Sequence, residues 1–315
     1  MRRVMVSPSK PGSIPILSTL FFVFFLSSVC ACSSDSYPSE ILPTLTITQK
    51  IPPTVTAAGM TQTPEVTEKI IQKTPHPEPG CQEEGGRVAH YEFDSKAIGK
   101  PQRVNVYLPP CYDPRLNEGY PALILLHGQG QDENFWVDAG LAKTSDHLIQ
   151  SDQTVPFLVI MPYEEYNLED ILQSRFGDML MDELLPWAKS TFALREGEDF
   201  MAIGGNSRGA YWAFRLAFKY PGNFGSAGIH SMPFFGEPNA LLNWLKQFPQ
   251  GELPRVSMDS GKGDRYLADA LEFEGLLNRY QIAHEWHLKE GEHDAAYWEG
   301  NLEEYLSWYA QPWNE

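Results

Sequence analysis

The sequence is short of positive charge. Its 315 residues carry 24 Lys and Arg against 41 Asp and Glu, a formal charge of −17. That deficit argues against nucleic acid as the main partner, because phosphate binding needs clustered cations. Cysteine is scarce, with four in the chain, which excludes a disulfide-packed mini-protein. The most apolar stretch, Ile16 to Leu26, falls short of the roughly 20 residues that span a bilayer. No internal repeat is visible, which excludes a solenoid. What remains is a chain that is 42% hydrophobic and 12% aromatic. It is globular and long enough to bury a sizeable core.

The first 80 residues differ from the rest. Arg2, Arg3 and Lys10 precede the Ile16–Leu26 run, and small residues with two cysteines follow it. Residues 1–31 therefore read as a secretory signal peptide. Val29-Cys30-Ala31-Cys32 resembles a bacterial lipobox, so Cys32 is expected to be lipidated and to become the mature N-terminus. Ordinary signal-peptidase cleavage is the alternative. A lipid would hold an exported protein at a membrane surface, facing the cell exterior or the periplasm, without a spanning helix. Residues 32–80 read as a disordered tether: positions 33–80 hold nine Thr, eight Pro and the single aromatic Tyr37. Such a composition cannot offset chain entropy by burying apolar surface. Residues 81–315 remain as one domain. Removing residues 1–31 takes away three basic residues and no acidic ones, so the exported charge is −20. Cys81 and Cys111 are then an even pair in an oxidising compartment. A disulfide between them is expected, with two separate buried thiols as the alternative.

Within the domain, Val88–Phe93 and Arg103–Leu108 alternate polar and apolar residues and predict an antiparallel strand pair around Gly99-Lys100-Pro101. Ala122–Leu126, Phe157–Met161 and Phe200–Ile203 are continuously apolar, as in strands covered on both faces. Further strands are expected at Ala227–His230, Arg255–Asp259 and Ala283–Leu288. Helical spacing marks Leu172 to Trp187 and Ala210 to Phe218. Helices are also expected at Asn239–Gln247, Tyr266–Tyr280 and Asp294–Tyr309. Strands alternating with helices predict an α/β sheet with helices on both faces and its site at the strand C-termini.

Gly205-Asn206-Ser207-Arg208-Gly209 is a G-x-S-x-G pentapeptide between an apolar strand and an amphipathic helix, the context a nucleophilic serine needs. The glycines would admit backbone close to the sharp turn. The helix N-terminus would favour developing negative charge. A serine hydroxyl needs a general base, and the base needs an orienting acid. Four histidines follow Ser207. His284 and His287 fall in a predicted strand, and His230 ends one and could line the pocket. His293 lies in the loop after the last strand, where the base is expected. Asp259 and Asp264 both fit the acid by order, although Asp264 could be only a helix cap. The first oxyanion donor is expected to be the Arg208 N–H. The second is expected from His127-Gly128-Gln129-Gly130-Gln131, at the Gln129 N–H.

Together these residues resemble an esterase family of α/β-hydrolases that includes feruloyl and acetyl xylan esterases, enterobactin-type esterases and mycolyltransferases. The resemblance runs from Val88 to Tyr309. It is carried by Tyr107-Leu108-Pro109-Pro110 with Tyr112, Leu125-Leu126-His127-Gly128, and Ala202 to Ala210 followed by Tyr220-Pro221-Gly222-Asn223-Phe224. Ser260-Gly261-Lys262-Gly263-Asp264 and Gly291-Glu292-His293-Asp294 with Trp298 complete it. It implies Ser207, Asp264 and His293 as a catalytic triad, ester hydrolysis through an acyl-serine, and no metal or other cofactor. The substrate would be a small or carbohydrate-linked ester. His127, Arg208, His230 and Trp298 are the candidate substrate-binding residues. Acyl transfer on the same triad is one alternative, and a non-catalytic surface-binding module is another. Two features depart from the family. Arg208 and Ala210 stand where it usually has Met and Gly, and the Arg208 side chain is expected to favour anionic or polar substrates. Tyr163-Glu164-Glu165-Tyr166 is expected to be either a sugar-stacking surface or an unliganded exposed loop.

Overall fold

The computed structural model describes residues 81–314, apart from 166, 235–237 and 247–252. The signal, the tether and Cys32 lie outside the described residues, as do Tyr166 and Gln247. Eight strands form one sheet in the order β1-β2-β4-β3-β5-β6-β7-β8. β1 (Arg87–Ser95) and β2 (Lys100–Leu108) pair antiparallel from Arg87↔Leu108 to Ser95↔Lys100. β2 meets β4 (Leu158–Pro162) antiparallel. The remaining pairs are parallel, linking β4, β3 (Ala122–Leu126), β5 (Met201–Asn206), β6 (Ser226–His230), β7 (Arg255–Gly261) and β8 (Glu285–Lys289). β3 to β6 are buried along their whole length, which is why they read as unbroken apolar or small-residue runs.

Alternation within each strand divides the core in two. Ala122, Ile124 and Leu126 face a layer built on α5 (Arg208–Lys219) and α7 (Leu267–Arg279). Leu123 and Leu125 face α2 (Leu141–Gln150) and α8 (Ala295–Ala310). α2 and the short α1 (Phe135–Asp138) had no sequence expectation. α2 buries only Leu141, Ser145 and Leu148, too few apolar positions for a periodic signal.

The helix expected from Leu172 starts later. α3 (Phe176–Met179) passes through a π turn, Leu180–Leu184, into α4 (Leu185–Thr191). Leu172 stays outside it and is exposed. Pro186 follows the π turn directly. It lacks an N–H and would crowd a regular turn, so a wider turn relieves the conflict. α6 (Pro238–Leu245) matches its expected start. Cys81 and Cys111 are disulfide-bonded at a sequence separation of 30.

Candidate active site

β5 delivers Ser207 directly onto α5. Ser207 sits at φ 53, ψ −119, a strained region for a residue with a side chain. The flanking glycines have a steric cause. A Cβ on Gly205 would lie 2.6 Å from the Leu126 carbonyl oxygen, and one on Gly209 would lie 2.5 Å from it. The Ser207 N–H donates to the His230 carbonyl at 2.9 Å, so the adjacent strand β6 holds the turn.

Ser207 Oγ lies 2.9 Å from His293 Nε2. His293 Nδ1 lies 3.0 and 2.9 Å from the two oxygens of Asp264. Asp264 also accepts the Tyr266 N–H at 2.7 Å. Burial works against ionising this carboxyl, but His293 and the Tyr266 N–H outweigh it and hold the pKa below the usual carboxylate value. An ionised Asp264 accepts a hydrogen bond from the Nδ1–H of His293, which fixes the tautomer and leaves Nε2 free to accept from the Ser207 hydroxyl. Asp264 is not a helix cap, since Tyr266 occupies that position of α7.

Asp259, the other carboxylate that chain order allowed, belongs to a separate cluster. Its Oδ2 lies 2.5 Å from His230 Nδ1, and its Oδ1 accepts from Tyr297 at 2.7 Å and Tyr305 at 2.9 Å. His230 Nε2 meets the Tyr309 hydroxyl at 3.0 Å. Burial, then Asp259, pushes the Tyr297 and Tyr305 hydroxyls well above the usual phenol value, which keeps them protonated donors. His230 does not line the cavity at Ser207: its ring is 2% exposed and engaged in this cluster.

The loop after β3 carries the second expected donor. The Gly128 N–H donates to Gln131 Oε1 at 2.7 Å, and the Gly130 N–H to Asn167 Oδ1 at 3.0 Å. The Gln131 N–H turns back to the Gly128 carbonyl. Among the described residues nothing accepts the Gln129 N–H, and Gln129 lines the cavity at Ser207. The Arg208 N–H, first in α5, has no intrahelical acceptor.

Two expectations about side chains are corrected here. Arg208 does not offer its charge to a substrate. Its guanidinium is 3% exposed and forks onto Glu164 at 2.9 and 2.6 Å, with a third bond to the Glu169 carbonyl at 2.7 Å. His127 is buried as well. It bridges the Gly128 carbonyl and the Glu164 N–H, and burial lowers its pKa. It is thus a neutral loop brace with no face toward substrate. Tyr163 and Glu165 are likewise engaged within the protein. Tyr163 packs on His127 and under the Arg103 guanidinium, and Glu165 pairs with Lys100.

The cavity above Ser207 measures about 600 Å³. Trp298 lines it as expected and packs edge-on against the His293 ring. Leu168, Phe234, Arg265 and Tyr266 also line it. None of these four carried a motif, because they come from three separate loops. A serine on a strand-to-helix turn, bonded to a histidine and a buried carboxylate at the C-terminal edge of a mostly parallel sheet, defines an α/β-hydrolase.

The family described as "Putative esterase" matches residues 95–309, and the chain belongs to that family. An esterase of Mycobacterium tuberculosis is 33% identical over 156 residues, covering 47% of this chain and 32% of that protein. The endo-1,4-beta-xylanase/feruloyl esterase of Xylanibacter ruminicola is 31% identical over 215 residues, covering 62% of this chain and 29% of its own length. The chain thus spans about a third of each relative's length. A solved ferulic acid esterase superposes with a TM-score of 0.65 at 18% identity, over 72% of this chain and 99% of its own. That likeness is one of fold.

Proposed function

We propose that the protein is a serine hydrolase of carboxylic esters. The observation that carries this reading is the continuous hydrogen-bonded chain Ser207–His293–Asp264 beside two unpaired N–H groups. Ser207 Oγ attacks the ester carbonyl carbon while its proton passes to His293 Nε2. The tetrahedral oxyanion is held by the Arg208 and Gln129 N–H groups. His293 then gives the proton to the departing alcohol, leaving an acyl-serine. Water, deprotonated by His293, attacks the acyl carbon; the bond to Ser207 Oγ then breaks, His293 returns the proton to that oxygen, and the acid departs. Asp264 keeps the imidazole in the right tautomer and stabilises its cation.

The cavity volume suits a small acyl group or one aromatic acyl group, and Phe234, Tyr266 and Trp298 supply its aromatic walls. The names of the relatives agree with ester substrates of that size, free or attached to carbohydrate. Cys32 is proposed as a lipid anchor on an exported chain.

A fluorophosphonate probe should label Ser207 covalently, and a folded, unlabelled protein would overturn the reading. A panel of acetyl, feruloyl and longer acyl esters on the protein then ranks the acyl group. Intact-mass analysis of the exported form tests whether Cys32 carries lipid.

A further inference from the structure

We propose that Glu164 and Arg208 are positioning residues that set the two oxyanion donors relative to each other. The inference rests on the hydrolase reading above. Arg208 contributes one donor through its own N–H. Its side chain, instead of reaching the substrate, runs to the loop after β4, where it forks onto Glu164 and bonds the Glu169 carbonyl. The Glu164 N–H donates to His127 Nε2, and the His127 ring meets the Gly128 carbonyl. Asn167, from the same loop, accepts the Gly130 N–H at 3.0 Å and donates to the Gln131 carbonyl at 3.0 Å. These contacts grip the backbone on either side of Gln129, the second donor. A closed mechanical path therefore runs from one donor to the other: Arg208, Glu164, then His127 and Asn167, then the Gly128–Gln131 loop.

The chemistry of the pair fits that task. A guanidinium–carboxylate fork fixes angle as well as distance. Both side chains are 3% exposed, so solvent cannot substitute for either partner. The Gly128 and Gly130 N–H groups are tied back to side chains, which leaves Gln129 as the donor facing the cavity. A loop rich in glycine would not hold that arrangement unaided. The cation that replaces the usual methionine after the serine acts behind the site. It does not select substrates.

The test uses Glu164→Gln, Arg208→Gln and their double variant, compared with wild type on an aryl ester and its thionoester. Oxyanion donors discriminate oxygen from the larger, weaker acceptor sulfur. Complete loss of one donor lowers kcat about 10²–10³-fold, so a misplaced donor should lower kcat about 10-fold, with KM within about threefold. The rate ratio of ester to thionoester should fall in parallel, and the double variant should cost no more than either single one. Asn167→Ala leaves the ion pair intact and should reproduce the kcat loss, so the proposal stays testable if a broken pair impairs folding. Folded variants with kcat within twofold of wild type, or with an unchanged oxygen-to-sulfur ratio, would overturn it. The parent reading has its own control: it fails if folded wild type is not labelled by fluorophosphonate.

Discussion

Two histidine–aspartate pairs lie at adjacent strand ends, and they differ in what else touches them. Asp264 shares its histidine with a serine at the cavity, whereas Asp259 shares its histidine with tyrosines in the core. Their variants should therefore separate. Asp264→Asn should lower kcat by about 10⁴-fold, by the loss of tautomer control, with a smaller fall in melting temperature than Asp259→Ala. Asp259→Ala should strand three buried donors and destabilise by about 3 kcal/mol or more, while the folded fraction still labels at Ser207. Thermal melts and active-site titration together check both. The depressed pKa of Asp264 also gives a signed pH dependence. Its contribution to stability is present above its ordinary value of 3.8 and is lost as pH falls below that toward the folded-state value. Asp264→Asn should accordingly flatten the fall in melting temperature below about pH 4. At this scale Ser207 and His293 were legible in the sequence, since motif and chain order single them out. The acid was legible only through the family resemblance, which pointed to Asp264; chain order left Asp259 and Asp264 both open, because only their neighbours differ.

Among the elements, the strand-to-helix turn carries the tightest constraint. Gly205→Ala or Gly209→Ala would drive a Cβ into the Leu126 carbonyl, which is backbone and cannot step aside. Either variant should lose both soluble yield and fluorophosphonate labelling. Gly275→Ala is the contrasting case. Gly275 lies inside α7 with nothing within 4 Å of the new methyl. That substitution should raise stability by about 0.5–1 kcal/mol, read as a small upward shift of the melt without loss of turnover. Strands were legible because buried parallel strands are unbroken apolar runs. α2 was not legible, because the sheet beneath it needs only a few side chains to cover it. The start of the helix near Leu172 was misplaced because apolar spacing continues past the true end into an exposed turn.

Across the whole molecule, the Cys81–Cys111 bridge joins the N-terminal edge of the described domain to the end of β2. Closing a loop of 30 residues stabilises by about 3–4 kcal/mol in the chain-entropy account. Reduction, or Cys111→Ser, should lower the melting temperature by about 10 °C for a domain of this size. A difference scan with and without reductant measures it. Two arginines are the cationic residues that line the cavity at Ser207. Arg265 lines the cavity, while Arg208 is neutralised inside the protein. Selection of an acidic substrate, if measured, would therefore be sought at Arg265.

By itself, the sequence determined the class of fold, the serine turn, the base and the disulfide partners. Each of these is a local pattern: a run, a spacing, an order or a count. Only the tertiary structure decided where the Arg208 charge goes, which histidine Asp259 meets, and which side chain takes the Gly130 N–H. Those outcomes depend on contacts between residues dozens of positions apart, and a buried charge takes its meaning from the partner that reaches it.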